Sequence, residues 1–460
     1  MPDRPPFRRT LYILALALLA ALPAAAQQDM GTFVVLSDIH FDPFYDPGLK
    51  AQLEAADARQ WQRIFESSKV TQLSNYGADT NYPLLKSALS SLRCRTPEPD
   101  FVLISGDFLA HGFPQDETWV RKTLEFLTLR LQATFPGLPV LPALGNNDSA
   151  CGDYTMQPGG PLLTDLAGIW RPLLGPEAGT WAQSFPAGGY YSVPHPTVPK
   201  TRLAVLNTVL FSPKYQNCGQ APADPGRDEL AWLAETLKQA AANGEKVWTL
   251  YHIPQAVDVY STLSHSQPTT MWKDEYSSAF SGMADPGLVT ASFSGHTHMD
   301  EFRLPPSGGF VHGTPAVSPL FGNNPGYQIF SYSRSTGALL DYRAFFLNLG
   351  AGLDPDLPWA REYDFQTAYG QSAYDRDALQ AVVTGMKSEA SPRNRFLLLY
   401  PTTSSQGGAD PCRWQAYWCG IGEITPKDFL SCLCVPGFAP WASGGLCPAP
   451  AAKKSSRKGS

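Results

Sequence analysis

Five apolar runs in this chain each end in a short polar motif, and that arrangement limits the folds open to it. TFVVLS (residues 32–37) leads into Asp38 and His40. FVLIS (101–105) leads into Gly106 and Asp107, with His111 four residues further on. LPVLPAL (138–144) leads into GNND, VWTLY (247–251) into His252, and LVTASFS (288–294) into GHTH with His296 and His298. Short apolar runs bounded by turn residues read as buried strands. Between them, residues 81–94, 117–135 and 226–244 carry apolar side chains at helical spacing. Alternating strands and helices predict an α/β domain. In such sheets ligands gather beyond the strand ends, so the five motifs are expected to meet at one edge. Asp38 and His40 are expected to share a face because residues two apart on an extended chain do so.

The residue types in these motifs suit metal ions. Imidazole, carboxylate and amide donors without thiolate fit zinc, iron or manganese. Seven candidate ligands, Asp38, His40, Asp107, Asn146, His252, His296 and His298, fit two ions sharing one carboxylate better than a single ion. Two ions about 3.5–4 Å apart can hold a bridging hydroxide and clamp a phosphoryl group. Each motif taken alone is weak, since a lone GD or GN after a strand is usually a turn. Their joint order, each after an apolar run, carries the reading. A serine-hydrolase reading fits poorly, because Ser105 before Gly106 is not a G-x-S-x-G elbow.

The ends belong to a different register. Arg4, Arg8 and Arg9 precede an apolar run at 11–22 and the small-residue stretch PAAAQQ. This is the order of a signal peptide, with cleavage expected after Ala26. The run is about a dozen residues, short of the roughly 20 a spanning helix needs. Removing it takes net charge from −6 to −8 with His neutral, so a general attraction to nucleic acid or anionic membrane is excluded. No second apolar run suggests stable membrane insertion, and periplasm or the extracellular space is the expected location. Eight cysteines in an exported chain predict disulfides. Five lie in the last 50 residues and are expected to pair among themselves with one upstream partner. The domain reading is signal peptide 1–26, catalytic α/β domain 27–350, a mainly helical disulfide-rich region 351–450 and a disordered tail 451–460. Pro and Gly number 42 and 39, so loops are expected to be long.

At SDIH, GD, GNND, YH and GHTH the chain resembles the calcineurin-like metallophosphoesterases. SDIHFDPFY, GDFLAH, GGYYSV, GHTHMDEF, SPLFGNNPGY and YWCGIGEITPKDFLSCLC are similar to the acid sphingomyelinase-like phosphodiesterases in particular, over roughly residues 31–447. The resemblance implies a four-layer β-sandwich flanked by helices and a hydrolase using a metal-bridging hydroxide for in-line attack on phosphorus. It implies that Asp38, His40, Asp107 and His298 hold one ion, and Asp107, Asn146, His252 and His296 the other, zinc first among the metals. His111 matches a histidine facing the phosphate and leaving group. The family usually has His after the metal-binding Asn; here Asn147 stands there. An amide can donate a hydrogen bond to a phosphate oxygen but cannot protonate an alkoxide. Either His111 carries that duty alone, or the leaving group needs little help, as in a nucleotide polyphosphate. GNND is also similar to the endopolyphosphatases. Tyr190, Tyr191, His312 and Asn324 are cleft-rim candidates by resemblance only.

The motifs begin soon after the expected cleavage site, which leaves no room for the saposin-like domain of acid sphingomyelinase. The expected substrate is therefore a small soluble phosphodiester or phosphoanhydride. Phosphocholine lipids and a non-catalytic metal-stabilised binding protein are the alternatives. The sequence points to no protein partner.

Overall fold

The structure, a computed structural model, describes residues 29–175, 180–220, 222–435, 438, 443 and 445–447. The expected signal peptide and the 451–460 tail lie outside the described residues. In chain order the strands are β1 (Met30–Leu36), β2 (Phe101–Ile104), β3 (Val140–Pro142), β4 (Thr155–Met156), β5 (Tyr191–Pro194), β6 (Thr201–Val205) and β7 (Gln216–Asn217). They continue as β8 (Lys246–Leu250), β9 (Val289–Ser294), β10 (Glu301–Arg303), β11 (Val311–Gly313), β12 (Gly326–Ser333), β13 (Leu339–Phe346) and β14 (Ala360–Asp364). Two six-stranded sheets form, ordered β14-β13-β12-β1-β2-β3 and β10-β11-β9-β8-β6-β5, with β4 and β7 paired separately.

Each sheet is mixed. β1, β2 and β3 run parallel, as do β6, β8, β9 and β11. β12 to β14 add on in antiparallel fashion beside β1. Phe33, Val34, Val35 and Leu36 are all at most 1% exposed, which explains why β1 reads as an unbroken apolar run and not an alternating one. The sheets face each other through aromatic rings: Phe33 of β1 lies 5.6 Å edge-on to Phe293 of β9 and 5.5 Å from Trp248 of β8. On β6, Leu203 and Val205 point into this central core, whereas Ala204 and, one residue past the strand, Leu206 join a second core with Leu230, Leu233 and Leu237. That period-2 split places the helix Pro225–Ala242 on the outer face of the second sheet. The helices Tyr82–Arg95 and Glu117–Thr134 contribute Leu84, Leu85, Leu124 and Leu127 to the core shared with the first sheet. Helix, sheet, sheet and helix make the four layers expected.

Local caps explain the helix starts. Asn81 accepts the Leu84 N–H, Asp116 that of Trp119 and Asp224 that of Arg227, each satisfying an orphan donor. The first sheet extends beyond the residue-350 boundary read from the sequence, because β14 pairs with β13. The helices Arg376–Ser388, Ala390–Leu399, Trp414–Gly422 and Pro426–Leu433 follow. Their Leu379, Phe396, Ala416 and Phe429 are buried in the same central core. Disulfides join Cys419 to Cys432 and Cys434 to Cys447. Cys151 pairs with Cys218 instead of reaching the C-terminal group, and Cys412 is a free, exposed thiol. The expected upstream partner for the C-terminal cysteines is therefore corrected. No helix among the described residues is long and apolar enough to cross a membrane.

Candidate metal centre and cleft

The C-terminal ends of β1, β2, β3, β8 and β9 meet at one edge of the sandwich. Asp38 and His40 follow β1, Asp107 follows β2, Asn146 and Asn147 follow β3, His252 follows β8, and His296 and His298 follow β9. Side chains 260 residues apart in sequence are thus in contact. His40 Nε2 lies 3.6 Å from Asp38 Oδ1, 3.4 Å from Asp107 Oδ2 and 3.1 Å from His298 Nε2. His252 Nε2 lies 3.2 Å from Asp107 Oδ2, 3.1 Å from Asn146 Oδ1 and 3.3 Å from His296 Nδ1. Asp107 is common to both groups. All seven predicted ligands are brought together.

The local backbone differs from the expected extended geometry. Asp38 and His40 adopt φ of 48° and 43°, and Asp107, His296 and His298 adopt 55°, 76° and 64°. Left-handed conformations of this kind cost about 1–3 kcal/mol each outside glycine. Ten such residues occur among those described, and six of them, Tyr154 included, belong to this site. The strain is held by ladders between loops: Asp38 N–H donates to Gly106 O and His40 N–H to Asp107 O, both at 3.0 Å. Gly145 is required by close approach, since a Cβ there would overlap the Asp107 carboxylate.

Imidazole orientation is fixed from behind. His40 Nδ1 is 2.9 Å from Leu109 O, and His252 Nδ1 is 2.8 Å from Ser105 O. Each carbonyl takes the Nδ1 proton and leaves the Nε2 lone pair facing the site. The facing atoms are therefore nearly all acceptors. Asp38 Oδ1 and His298 Nδ1 are buried with no hydrogen-bond partner. Burial alone would lower the pKa of His40 and His252, yet nearby carboxylates, Asp107 foremost, hold both up at about 9, so each Nε2 presents its lone pair to a metal by giving up a proton to solvent. A buried cluster of lone pairs and carboxylates that draws positive charge fits divalent cations.

Asn147 does not face the cleft as expected. Its backbone N–H and Nδ2 both donate to Asp107, to Oδ1 at 2.8 Å and Oδ2 at 2.9 Å. It braces the shared carboxylate. Asp148, the last residue of GNND, accepts N–H bonds from Asp107, Phe108, Leu109 and Gly145 at 2.8–3.2 Å and ties the two loops together. His111 sits beside the cluster, its ring stacked 4.1 Å from His40. Its backbone N–H donates to Asp79 Oδ2 at 2.7 Å, and its Nδ1 is 3.1 Å from Asp79 Oδ1. Asp79 and Asp148 were not singled out from sequence; Asp148 could have been, as the remaining polar residue of GNND.

A cleft of about 680 Å³ opens from these residues. Asp107, His111, Asn146, His296 and His298 line its floor, and Tyr154, Lys214, Tyr260, Phe321, Tyr400 and Tyr417 its walls. The four resemblance-based rim candidates are not there. Tyr191 is buried and donates to Pro142 O, His312 is held between Tyr374 Oη and Gln328, and Asn324 is bonded to Tyr76 and Thr402. Tyr190 packs on Trp232. All four are buried, and Tyr191, His312 and Asn324 are used by the fold to satisfy buried polar groups.

The calcineurin-like phosphoesterase family model matches residues 31–300. The chain is 26% identical to sphingomyelinase phosphodiesterase C of Dictyostelium discoideum, over 92% of this chain and 97% of that protein. It is 28% identical to acid sphingomyelinase-like phosphodiesterase 3b of Mus musculus, covering 90% and 93%. It is 30% identical to cyclic GMP-AMP phosphodiesterase SMPDL3A of Mus musculus, covering 82% and 85%. The chain belongs to the calcineurin-like phosphoesterases and is a phosphoric ester hydrolase. Within that family its relatives place it with the acid sphingomyelinase-like phosphodiesterases.

Proposed function

We propose that the chain is an exported, two-metal phosphodiesterase acting on a small soluble, nucleotide-like phosphate compound. The observation that carries this reading is the convergence of seven donors around Asp107, six of them buried and His296 half-buried, with Asp38 Oδ1 left without a hydrogen bond. Asp38, His40, Asp107 and His298 would hold one ion; Asp107, Asn146, His252 and His296 the other. Bound divalent ions, zinc first and iron or manganese next, would supply Lewis acidity and a nucleophilic water at neutral pH. The chain's own residues do the rest. Asn147 fixes both oxygens of Asp107. Asp79 holds His111 at Nδ1, so Nε2 is the atom that hands a proton to the departing oxygen. Asp148 keeps the GD and GNND loops in register.

The walls support a flat organic group beside the phosphate. Tyr260 and Phe321 are 68% and 48% exposed, the large exposed aromatic rings among the described residues, and both line this cleft. Base–aromatic stacking is worth about 1–3 kcal/mol per base. Export agrees with three disulfides and with the leader-like N-terminus. A second reading draws on Tyr260, Tyr400 and Tyr417 grouped with Asp258 and Asp410 along one wall. Such a wall also suits a quaternary ammonium, as in phosphocholine.

The test is a side-by-side assay of the metal-loaded mature protein on ATP and on a phosphocholine diester. Preference for ATP, abolished by chelation and restored by zinc or manganese, is expected. Preference for the choline ester would favour the second reading, and hydrolysis of neither would overturn both.

A further inference from the structure

The seven donors and His111 account for one phosphate and its leaving oxygen. They leave Lys214 without a role. Lys214 lines the cleft, and no carboxylate of the described residues lies within 4.0 Å of its Nζ. The other basic side chain of the lining, Arg303, is buried and spent on Glu301 Oε1 at 2.8 Å and Gly420 O at 3.0 Å. Asp153, an acid of the same lining that feels the Lys214 charge from beyond ion-pair distance, accepts from Asn146 Nδ2 at 2.8 Å.

The position of Lys214 is built. Its Nζ stands 3.5 Å from Tyr154 Oη and 4.9 Å above the Tyr154 ring. Tyr154 Oη in turn lies 3.2 Å from His296 Nε2, so the ammonium is two contacts away from a candidate metal ligand. The segment carrying it is stapled to the GNND loop. β7 pairs with β4, Gln216 N–H donates to Tyr154 O at 3.0 Å, and Cys151 is bonded to Cys218. A cation with no carboxylate in direct contact, fixed next to a phosphate site, is placed to meet a second negative charge on the same ligand.

We propose that Lys214, together with Tyr154 Oη, forms a second anion subsite that receives a further phosphate of the substrate, one removed from the reacting phosphorus. The proposal rests on the phosphoesterase reading above and narrows it. The favoured substrates are those with two or more phosphates, and a cationic choline group beside Lys214 is disfavoured.

The test compares two substrates that differ in this second charge: ATP, and the p-nitrophenyl ester of thymidine 5′-monophosphate, which has a single phosphodiester. The variants are Lys214→Ala, Lys214→Glu and Lys214→Arg in the metal-loaded full mature chain. Loss of one charge-assisted hydrogen bond should raise KM for ATP about tenfold in Lys214→Ala. Lys214→Glu should raise it further, and Lys214→Arg should stay near wild type. Cleavage of the thymidylate ester should stay within about twofold in all three, which also shows that the variants are folded. An equal change on both substrates, or none on ATP, overturns the second subsite. A wild-type protein that cleaves neither overturns the phosphoesterase reading instead, so the two failures are distinguishable.

Discussion

Replacing His111 by alanine tests how the site handles a leaving group. His111 is the one imidazole of the cleft lining outside the seven-donor cluster. Its Nδ1 and backbone N–H are both committed to Asp79, and its ring is stacked on His40, so a single nitrogen, Nε2, is free to act. Asn147 offers no substitute, because its amide is spent on Asp107. A general acid contributes about 10²–10⁴-fold, or roughly 3–5 kcal/mol of barrier. That contribution scales with the basicity of the departing oxygen. His111→Ala should therefore slow hydrolysis of an alkyl phosphodiester by about 10²–10⁴ in kcat/KM. A p-nitrophenyl ester, whose leaving group is stable as an anion, should lose about tenfold or less. The assay is a series of diesters of graded leaving-group pKa, with the slope compared between wild type and variant. A uniform loss across the series would refute the acid role and reduce His111 to a packing partner of His40.

Three further outcomes follow from the geometry. Gly145→Ala places a methyl on the Asp107 carboxylate; overpacking of this kind costs about 1–3 kcal/mol, and metal uptake should fall with it, measured by elemental analysis beside thermal melting. Opening the Cys151–Cys218 loop of 67 residues by double replacement with alanine should cost about 4 kcal/mol in denaturant unfolding, with unchanged stability as the contrary result. Glu229 is buried, and burial pushes its carboxyl up to about 8 from 4.5. Its folded-state proton stabilises fully below the unfolded pKa and is lost as pH rises towards 8, so wild type should lose roughly 4 kcal/mol relative to Glu229→Gln across that window, and parallel stability curves would contradict this.

The strand ends were legible because apolar runs followed by Gly, Asp, Asn or His leave few alternatives, and the sandwich brings all five motifs together. What the residues do at those ends was less legible. Extended spacing predicted that Asp38 and His40 share a face, whereas the contact depends on two left-handed residues held by loop-to-loop ladders that no local pattern encodes. Asn147 showed its character but not its partner: the bond to Asp107 spans 40 positions. Asp79 reaches His111 across 32 positions from a stretch with no motif. Tyr191, His312 and Asn324 illustrate the opposite error. Polar residues in family-like motifs can be conscripted to satisfy the core, and their long-range hydrogen-bond partners, not burial, separate them from residues of a cleft. Lys214 carried no signal, because an isolated lysine gains meaning only when its neighbours are spent elsewhere.

The central claim is a pair of ions sharing Asp107, and metal stoichiometry tests it most directly. The purified mature protein, saturated with zinc and freed of excess, should carry two ions per chain by elemental analysis, and Asp107→Asn should fall below one with activity lost. A saturated wild-type chain holding one ion or none, or an Asp107→Asn chain that keeps both, would contradict the account.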